Sequence, residues 1–292
     1  MNTVYIIGNG FDINLGLKTK FSDFADSEYW PFKPINGKHS SPLAAYLDYH
    51  KSIDKWLDLE NLLGKYAETA SAKGGVSIEK DKKDYNRLKT SFFDYLSSIT
   101  MDPALTTNSS AAMLLGHYVS KQSYEDYLFS FNYTDLKLFA GRCFIDPRFK
   151  YSHIHGSLKR DNIILGFGDN VKDINGYNFM RKSFDSVYMP PNVTSRLINS
   201  NTAVFYGVSM GDIDYAYFDA YFKAISNPDN ANMVGKRIFI FTYDDKSREE
   251  ILENLLLKTD YRLSNLRVLN TFEIITVKDA SIDAIANIIN GI

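Results

Sequence analysis

The sequence has almost none of the residues that form covalent or metal cross-links. It contains one cysteine, Cys143, among 292 residues. One thiol can form neither an internal disulfide nor a four-cysteine zinc site. Long apolar runs are also missing, since none approaches the roughly 20 residues that a membrane-spanning helix needs. We therefore expect no disulfide framework, no cysteine-bound zinc and no membrane partner.

The sequence also lacks a charge excess of either sign. It has 33 basic and 35 acidic residues, for a formal net charge of −2. This balance gives no global attraction to nucleic acid, although it leaves a local basic groove open. The first residues include no basic segment, and the apolar run 4–7 is too short for a signal peptide. We expect a cytoplasmic protein without a nucleic-acid partner.

Short β-rich segments are what the sequence does contain. Several are apolar throughout, which is typical of strands covered on both faces. Helical periodicity follows them at 247–258 and 279–290. This alternation predicts a Rossmann-like α/β fold with an open, mostly parallel sheet. The expected strands are 3–7, 127–131, 151–154, 162–167, 202–207, 237–243 and 272–277.

About 120 residues separate the first expected strand from the second, and most of them are helical in pattern. Apolar residues recur at steps of three and four, with a turn at 71–77 and a Pro- and Gly-containing loop at 25–40. The expected helices are 41–70, 82–99 and 110–122. We predict a helical subdomain, 25–122, inserted into a nucleotide-binding domain formed by 1–24 and 123–292.

The first expected strand ends in Gly8, Asn9 and Gly10. Glycines at such a position let backbone N–H groups approach a ligand, and a helix beginning just beyond them favours phosphate. Ile13 stands where the dinucleotide fingerprint of dehydrogenases has its third glycine, so that fingerprint is incomplete. Phosphate binding and a tight structural turn both remain open.

Two later strands end in side chains that could do chemistry. Asn132, Thr134 and Asp135 follow one strand, where they would bind a ligand or cap the next helix. His153 and His155 lie two apart, so both imidazoles share one face of a strand. His155 precedes a glycine and is the better candidate base, because imidazole exchanges protons near neutral pH. No further ligand has metal-binding spacing, so we expect no metal.

The stretch VFYGVSMGDIDYAYF repeats the pattern of the first loop. Gly207 follows an apolar strand, and Ser209, Asp212 and Asp214 come next, where carboxylates could bind ribose hydroxyls. In the inserted segment KWLDLENLL, Trp56 and Glu60 are four residues apart and share a helix face. Glu60 would belong either to a lid over the site or to a solvated helix face.

These segments, in this order, resemble the AbiH-like family of bacterial abortive-infection proteins. The matching segments span residues 4–218 and are IIGNGFDINLGLKTKFSDF, WLDLE, FNYTD, HIHGS and YGVSMGDIDYAYF. The family is in turn distantly similar to sirtuin-type NAD-consuming proteins, which place glycines, a strand-end asparagine, a His-Gly and a late Gly-x-Ser in this order. Asp12, Thr134 and Lys18 depart from the sirtuin pattern.

The resemblance implies an anti-phage NAD+ hydrolase that releases nicotinamide, because the zinc ribbon of sirtuin deacylases cannot form with one cysteine. Asn132 and His155 would be catalytic, with His155 the base. The first glycine loop would bind the pyrophosphate through its amides, and Asp12 or Asp214 would bind a ribose. The implied NAD contacts are Gly8, Asn9, Gly10, Phe11, Asp12, Gly16, Thr19, Glu60, Thr134, Asp135, Gly207, Ser209, Asp212 and Asp214.

The resemblance leaves two other functions open. The chain could bind NAD or ADP-ribose as a sensor without turnover, or transfer ADP-ribose to a macromolecule. NAD+ or a related dinucleotide, a phage-derived trigger and a second copy of the chain are the expected partners.

Overall fold

The computed structural model describes residues 2–53, 58–74, 77–101 and 104–292, and the chain divides into two compact units. The sheet unit comprises Met1–Leu17, Ala104–Ile154 and Pro190–Ile292, and the helical unit comprises Lys18–Pro103 and His155–Met189. This division differs from the predicted boundaries in two main places. Residues 104–122 belong to the sheet unit, and 155–189 belong to the helical unit.

The described part of the sheet unit contains one six-stranded sheet, and all neighbouring strands run parallel. The strands are β1 (Thr3–Ile7), β2 (Tyr127–Ser130), β3 (Ser152–His153), β4 (Thr202–Tyr206), β5 (Arg237–Thr242) and β6 (Thr271–Thr276). Their order is β3-β2-β1-β4-β5-β6, which confirms the expected Rossmann-like α/β fold. Ligands of such sheets bind at the carboxyl ends of the strands where the order reverses, here between β1 and β4.

The central strands are apolar on both faces because helices cover both sides of the sheet. Val4 and Ile6 belong to one buried cluster, and Tyr5 and Ile7 belong to the cluster on the opposite face. Burying each such aliphatic side chain contributes roughly 1.5–3 kcal/mol to folding. Burial on both faces of the sheet therefore explains the continuous apolar pattern of strand 3–7.

Thirteen α-helices are present in the described residues, and several begin at a side chain that accepts a hydrogen bond from a backbone N–H. These N-terminal caps include Asp58, Ser109, Asp135, Asp244 and Ser281. The helices are α1 (Asn9–Asn14), α2 (Phe21–Asp26), α3 (Pro42–Ile53), α4 (Leu59–Ala72), α5 (Ile78–Met101), α6 (Ser110–Lys121), α7 (Leu136–Arg142), α8 (Val193–Asn199), α9 (Asp212–Tyr215), α10 (Asp219–Ile225), α11 (Asp245–Lys258), α12 (Leu263–Leu269) and α13 (Ile282–Asn290). Within the described ranges, none of them is long and apolar enough to cross a membrane.

A buried carboxylate joins the elements of the helical unit. Asp81 of α5 accepts hydrogen bonds from the Tyr66 hydroxyl at 2.6 Å and from the Tyr177 hydroxyl at 3.0 Å. It also accepts from the Leu43 amide at 3.0 Å. The donors come from α3, α4 and the segment before residue 180, so one fully buried side chain connects three parts of the unit.

The expected strand at 162–167 is wrong, because this segment forms no ladder with another strand. Its apolar residues are buried, yet its backbone groups find partners in loops and a side chain. The Ile164 amide donates to the His155 carbonyl at 2.8 Å, and the Tyr85 hydroxyl donates to the Leu165 carbonyl at 2.5 Å. The apolar run therefore indicates a buried segment here, and a buried segment need not be a strand of a sheet.

The expected helix at 41–70 consists of two helices in the described residues. α3 ends at Ile53 and α4 begins at Leu59, where Asp58 caps it. Trp56 lies outside the described residues, so its expected pairing with Glu60 on one helix face stays a prediction. α4 extends into the expected turn at 71–77 as far as Ala72, and α5 begins at Ile78, directly after that turn.

Replacing Asp81 by alanine should destabilise the helical unit by about 3–5 kcal/mol. The substitution leaves two tyrosine hydroxyls and one amide buried without their acceptor, and each such loss costs about 1–3 kcal/mol. Thermal and urea unfolding followed by circular dichroism would measure the change. Asp94→Ala, an exposed position of the same helix, is the matched control and should change stability by less than about 0.5 kcal/mol. Equal losses in the two variants would contradict this account.

Candidate functional site

Two glycine loops cross at the carboxyl edge of the sheet, one after β1 and one after β4. The Gly8 amide donates to the Tyr206 carbonyl at 2.9 Å, and the Gly10 amide donates to the Gly207 carbonyl at 3.1 Å. A Cβ atom on Gly10 would lie 2.6 Å from the Gly207 Cα, and Gly207 itself has φ +65°. Glycine is therefore required here because two backbones touch.

This crossing gives the first loop the geometry of a tight structural turn. The amides of Gly8 and Gly10 both donate to backbone carbonyls, so these two donors already have partners within the protein. Phosphate binding by this loop stays a prediction. Asn9, the exposed first residue of α1, lies between them.

A buried carboxyl group lies next to this crossing and joins β1 to β2. The Asn132 side-chain amide donates to Asp12 Oδ1 at 2.8 Å, and the Thr134 hydroxyl donates to Asp12 Oδ2 at 2.7 Å. The second hydrogen of the Asn132 amide points to the Gly8 carbonyl, 3.0 Å away. Residues about 120 positions apart are thus brought into one polar cluster.

The hydrogen bonds of Asn132 fix which of its atoms can meet a ligand. Both amide hydrogens donate inward, to Asp12 and to Gly8, so the side-chain oxygen Oδ1 is the polar atom left for an external group. The backbone carbonyl of Asn132 lies 2.8 Å from His153 Nδ1. His153 therefore supports the end of β2 through its imidazole.

Burial raises the pKa of Asp12 from 3.8 to about 7, while the hydrogen bonds from Thr134 and Asn132 act in the opposite direction. Removing the carboxyl from water disfavours its charged form, whereas the two donors favour that form. The result is a carboxyl group that exchanges its proton near neutral pH. Such groups are the ones that serve as general acids and bases.

The neighbouring polar residue Asp135 has a structural role. Its carboxylate caps α7 by accepting from the Lys137 amide at 3.0 Å, and it accepts from the Tyr151 hydroxyl at 2.8 Å. The cap interpretation of the strand end thus holds for Asp135, while Asn132 and Thr134 turn toward Asp12.

The remaining sheet-unit residues of the expected NAD site differ in burial and in their contacts. Phe11 is buried and packs edge-on against the Tyr206 ring, and Gly16 has φ +96° where the chain leaves α1. Asp212 is exposed and forms an ion pair with Lys258 at 2.9 Å. The exposed Ser209 and the half-buried Asp214 lie in and after the β4 loop.

Three residues of the helical unit form a second buried cluster. The Lys182 ammonium lies 2.9 Å from Glu60 Oε2 and 3.3 Å from His155 Nε2. Glu60 Oε1 also accepts from the Gly166 amide at 3.2 Å. Glu60 is therefore not a solvated charge, and its expected place in a lid stays a prediction. Thr19, another expected contact, is buried in the same unit.

Burial and the neighbouring Lys182 ammonium lower the pKa of His155 well below 6.5. The imidazole is therefore neutral at cellular pH and takes up a proton with difficulty, which disfavours the base role expected for it. Sequence reasoning missed Lys182, because an isolated lysine in the segment MRKSF carries no motif. In the described ranges, no three His, Cys, Asp or Glu side chains are grouped as metal ligands.

A family model for bacteriophage abortive infection AbiH matches residues 4–234. The chain belongs to the AbiH family. Gly8, Asp12, Asn132, Thr134 and Gly207 all lie within the matched region, so the AbiH match contains the whole cluster at the carboxyl edge. No protein of curated function and no solved structure matches the chain significantly, and the similarity to sirtuin-type proteins stays a prediction.

Gly10→Ala should destabilise this AbiH chain by about 3 kcal/mol or more. The new Cβ would lie 2.6 Å from Gly207 Cα, and backbone atoms on both sides must move to accept it. Gly141→Ala is the matched control, because its Cβ meets nothing within 4 Å and alanine favours the helix there. Thermal unfolding should therefore show a lower midpoint for the first variant and an equal or higher one for the second. A tolerated Gly10→Ala would show that the loops are not in contact.

The stability of the wild-type chain relative to Asp12→Asn should fall as the pH rises. Folded Asp12 keeps its proton up to about pH 7, whereas the unfolded chain releases it near 3.8. Folding is therefore penalised progressively between these values, by about 4 kcal/mol in full and about 3 kcal/mol between pH 5 and 8. Urea unfolding of both proteins over this range measures the difference. Asp212→Asn, an exposed carboxylate, should track the wild type, and a flat difference for Asp12→Asn would refute the shift.

Proposed function

We propose that this AbiH protein is an NAD+ hydrolase that depletes NAD+ during phage infection. It would cleave the bond between nicotinamide and ribose. The observation that carries the proposal is the Asp12 carboxyl, which is held by Asn132 and Thr134 and has a pKa of about 7. It lies at the carboxyl edge of a Rossmann-like sheet, beside the strand-order reversal where such folds bind nucleotides.

The reaction needs a base and a partner for positive charge. As the C–N bond breaks, its electron pair moves to the nicotinamide ring, which leaves as a neutral molecule without an acid. Positive charge grows on the anomeric carbon, and the side-chain oxygen of Asn132 has the sign that stabilises it. The water oxygen bonds to that carbon, and the ionised Asp12 takes the water proton.

Asp12 suits the base role better than His155 does. A pKa near 7 leaves a useful fraction of the carboxylate at cellular pH while keeping it basic enough to accept a proton. Such general-base help is worth roughly 10² to 10⁴ in rate, and positioning of the water supplies more. The catalytic role of His155 stays a prediction, and the proposed step does not require this residue.

A non-catalytic sensor of NAD or ADP-ribose is the second candidate. The observation that favours it is the extent of internal hydrogen bonding at the carboxyl edge. The amides of Gly8 and Gly10 and both hydrogens of the Asn132 side chain already have protein partners. A site with so many satisfied groups could recognise a ligand through few contacts and leave it intact.

NAD+ should fall in infected cells that express the wild-type chain and should not fall with Asp12→Asn. Nicotinamide release in extracts of infected cells should drop at least about 100-fold in the variant, because the base is lost. Wild-type release should rise with pH through about 7, since the carboxylate is the active form. Asp229→Asn, an exposed carboxylate of the sheet unit that is not among the expected NAD contacts, is the matched control and should keep the wild-type rate.

Two results would overturn parts of this proposal. Phage protection with constant NAD+, combined with calorimetric binding of intact NAD+, would show the sensor function. If His155→Ala lost nicotinamide release and Asp12→Asn kept it in full, the general base would be His155 and not Asp12. Loss of protection in Asp12→Asn counts only if circular dichroism shows a folded chain at the assay pH.

A further inference from the structure

A cavity of about 610 Å³ lies beside the N-terminal part of α5 in the helical unit. This volume falls within the roughly 300–1,000 Å³ that small-molecule sites occupy. The lining side chains are Ser40, Lys80, Lys83, Asp84 and Arg87. None of them belongs to the expected NAD site or to the cluster around Asp12.

Three of the lining residues are cations on one face of α5. Lys80, Lys83 and Arg87 follow steps of three and four residues, so their side chains are neighbours on the helix surface. All three are exposed, and in the described part of the chain none of them pairs with a carboxylate. Their charges are therefore available to an anion from solution.

The acidic residue of the cavity does not neutralise these cations. Asp84 is only 4% exposed, and its Oδ2 accepts a hydrogen bond from the Ser40 hydroxyl at 2.6 Å. A neutral donor thus holds the carboxylate. The described residues of the cavity lining carry three positive charges against one negative charge, a net charge of +2.

The length of the basic strip, which we define as Lys80, Lys83 and Arg87, indicates the size of the anion. Lys80 and Arg87 are seven residues apart, which is about 10 Å along a helix. On this face Arg87 is followed by Thr90, Ser91 and the exposed Asp94, so no further cation of α5 lengthens the strip. Nucleic-acid sites commonly contact six to ten phosphates over a longer path. A strip this short fits two or three phosphates of one small molecule.

We propose that this cavity binds a compact, multiply phosphorylated small molecule of the nucleoside di- or triphosphate class. Lys80, Lys83 and Arg87 bind the phosphates, and the Arg87 guanidinium can hold two phosphate oxygens at once. Asp84 accepts a hydrogen bond from a hydroxyl or amino group of the same ligand. The site is independent of the proposed hydrolase, because it uses no residue of the sheet unit.

Calorimetric titration of the full chain at 0.15 M salt tests this site. Orthophosphate, ADP, ATP, tripolyphosphate, adenosine and a ten-nucleotide single-stranded DNA are the probes. Affinity should rise from orthophosphate to ADP to ATP, and adenosine should not bind. Lys83→Gln and Arg87→Gln should each weaken the affinity for ATP about tenfold, because each loses one charge-assisted contact. Lys82→Gln, exposed on the same helix and not part of the cavity lining, should change the affinity less than twofold.

The other outcomes would overturn the site. Equal weakening by Lys82→Gln and Lys83→Gln would show general charge attraction. Tighter binding of the oligonucleotide than of ATP would show a nucleic-acid surface, and no binding of ATP or tripolyphosphate would remove the site. ATP titration of Asp12→Asn separates the two proposals, because that variant should keep ATP affinity even where nicotinamide release is lost.

Discussion

The backbone contact between Gly10 and Gly207 is the constraint on which the carboxyl edge of the sheet depends. Neighbouring parallel strands bring the ends of β1 and β4 together, and the loops that follow them can cross only if neither carries a side chain there. The Gly10 amide then bonds to the Gly207 carbonyl. Because this crossing fixes the start of α1, it also fixes where the Asp12 carboxyl lies.

The β2 strand end holds the same loop from the other side. Asn132 donates both to the Gly8 carbonyl and to Asp12, so one amide group fixes a backbone and a titratable side chain together. Burial disfavours the Asp12 anion while Asn132 and Thr134 favour it, and the opposing effects leave its pKa near 7. The proposed chemistry needs this balance, because a fully solvated carboxylate is a weak base at neutral pH.

Two of the buried acidic residues, Asp12 and Asp81, show how similar side chains can have different consequences. Asp81 accepts from two tyrosine hydroxyls and an amide, and its effect is to join the helices of its unit. Asp12 accepts from one amide and one hydroxyl at a strand end. Ligands bind at the strand ends of an open α/β sheet, so Asp12 lies where its proton exchange can act on a ligand.

The sequence by itself determined the fold class and the strands with continuous apolar runs, such as β1, β4 and β5, because strands covered on both faces must be apolar throughout. It also located Gly8, Gly10, Asn132 and Gly207 at strand ends, where the structure confirms a turn in the chain. The strand predicted at 162–167 was wrong, because burial and sheet pairing produce the same apolar pattern. Only the tertiary structure decided that the glycines serve a backbone crossing, that Asp12 is the titratable group and that Lys182 lies beside His155. Hydrogen-bond partners and burial arise between residues far apart in the chain, and no local pattern contains them.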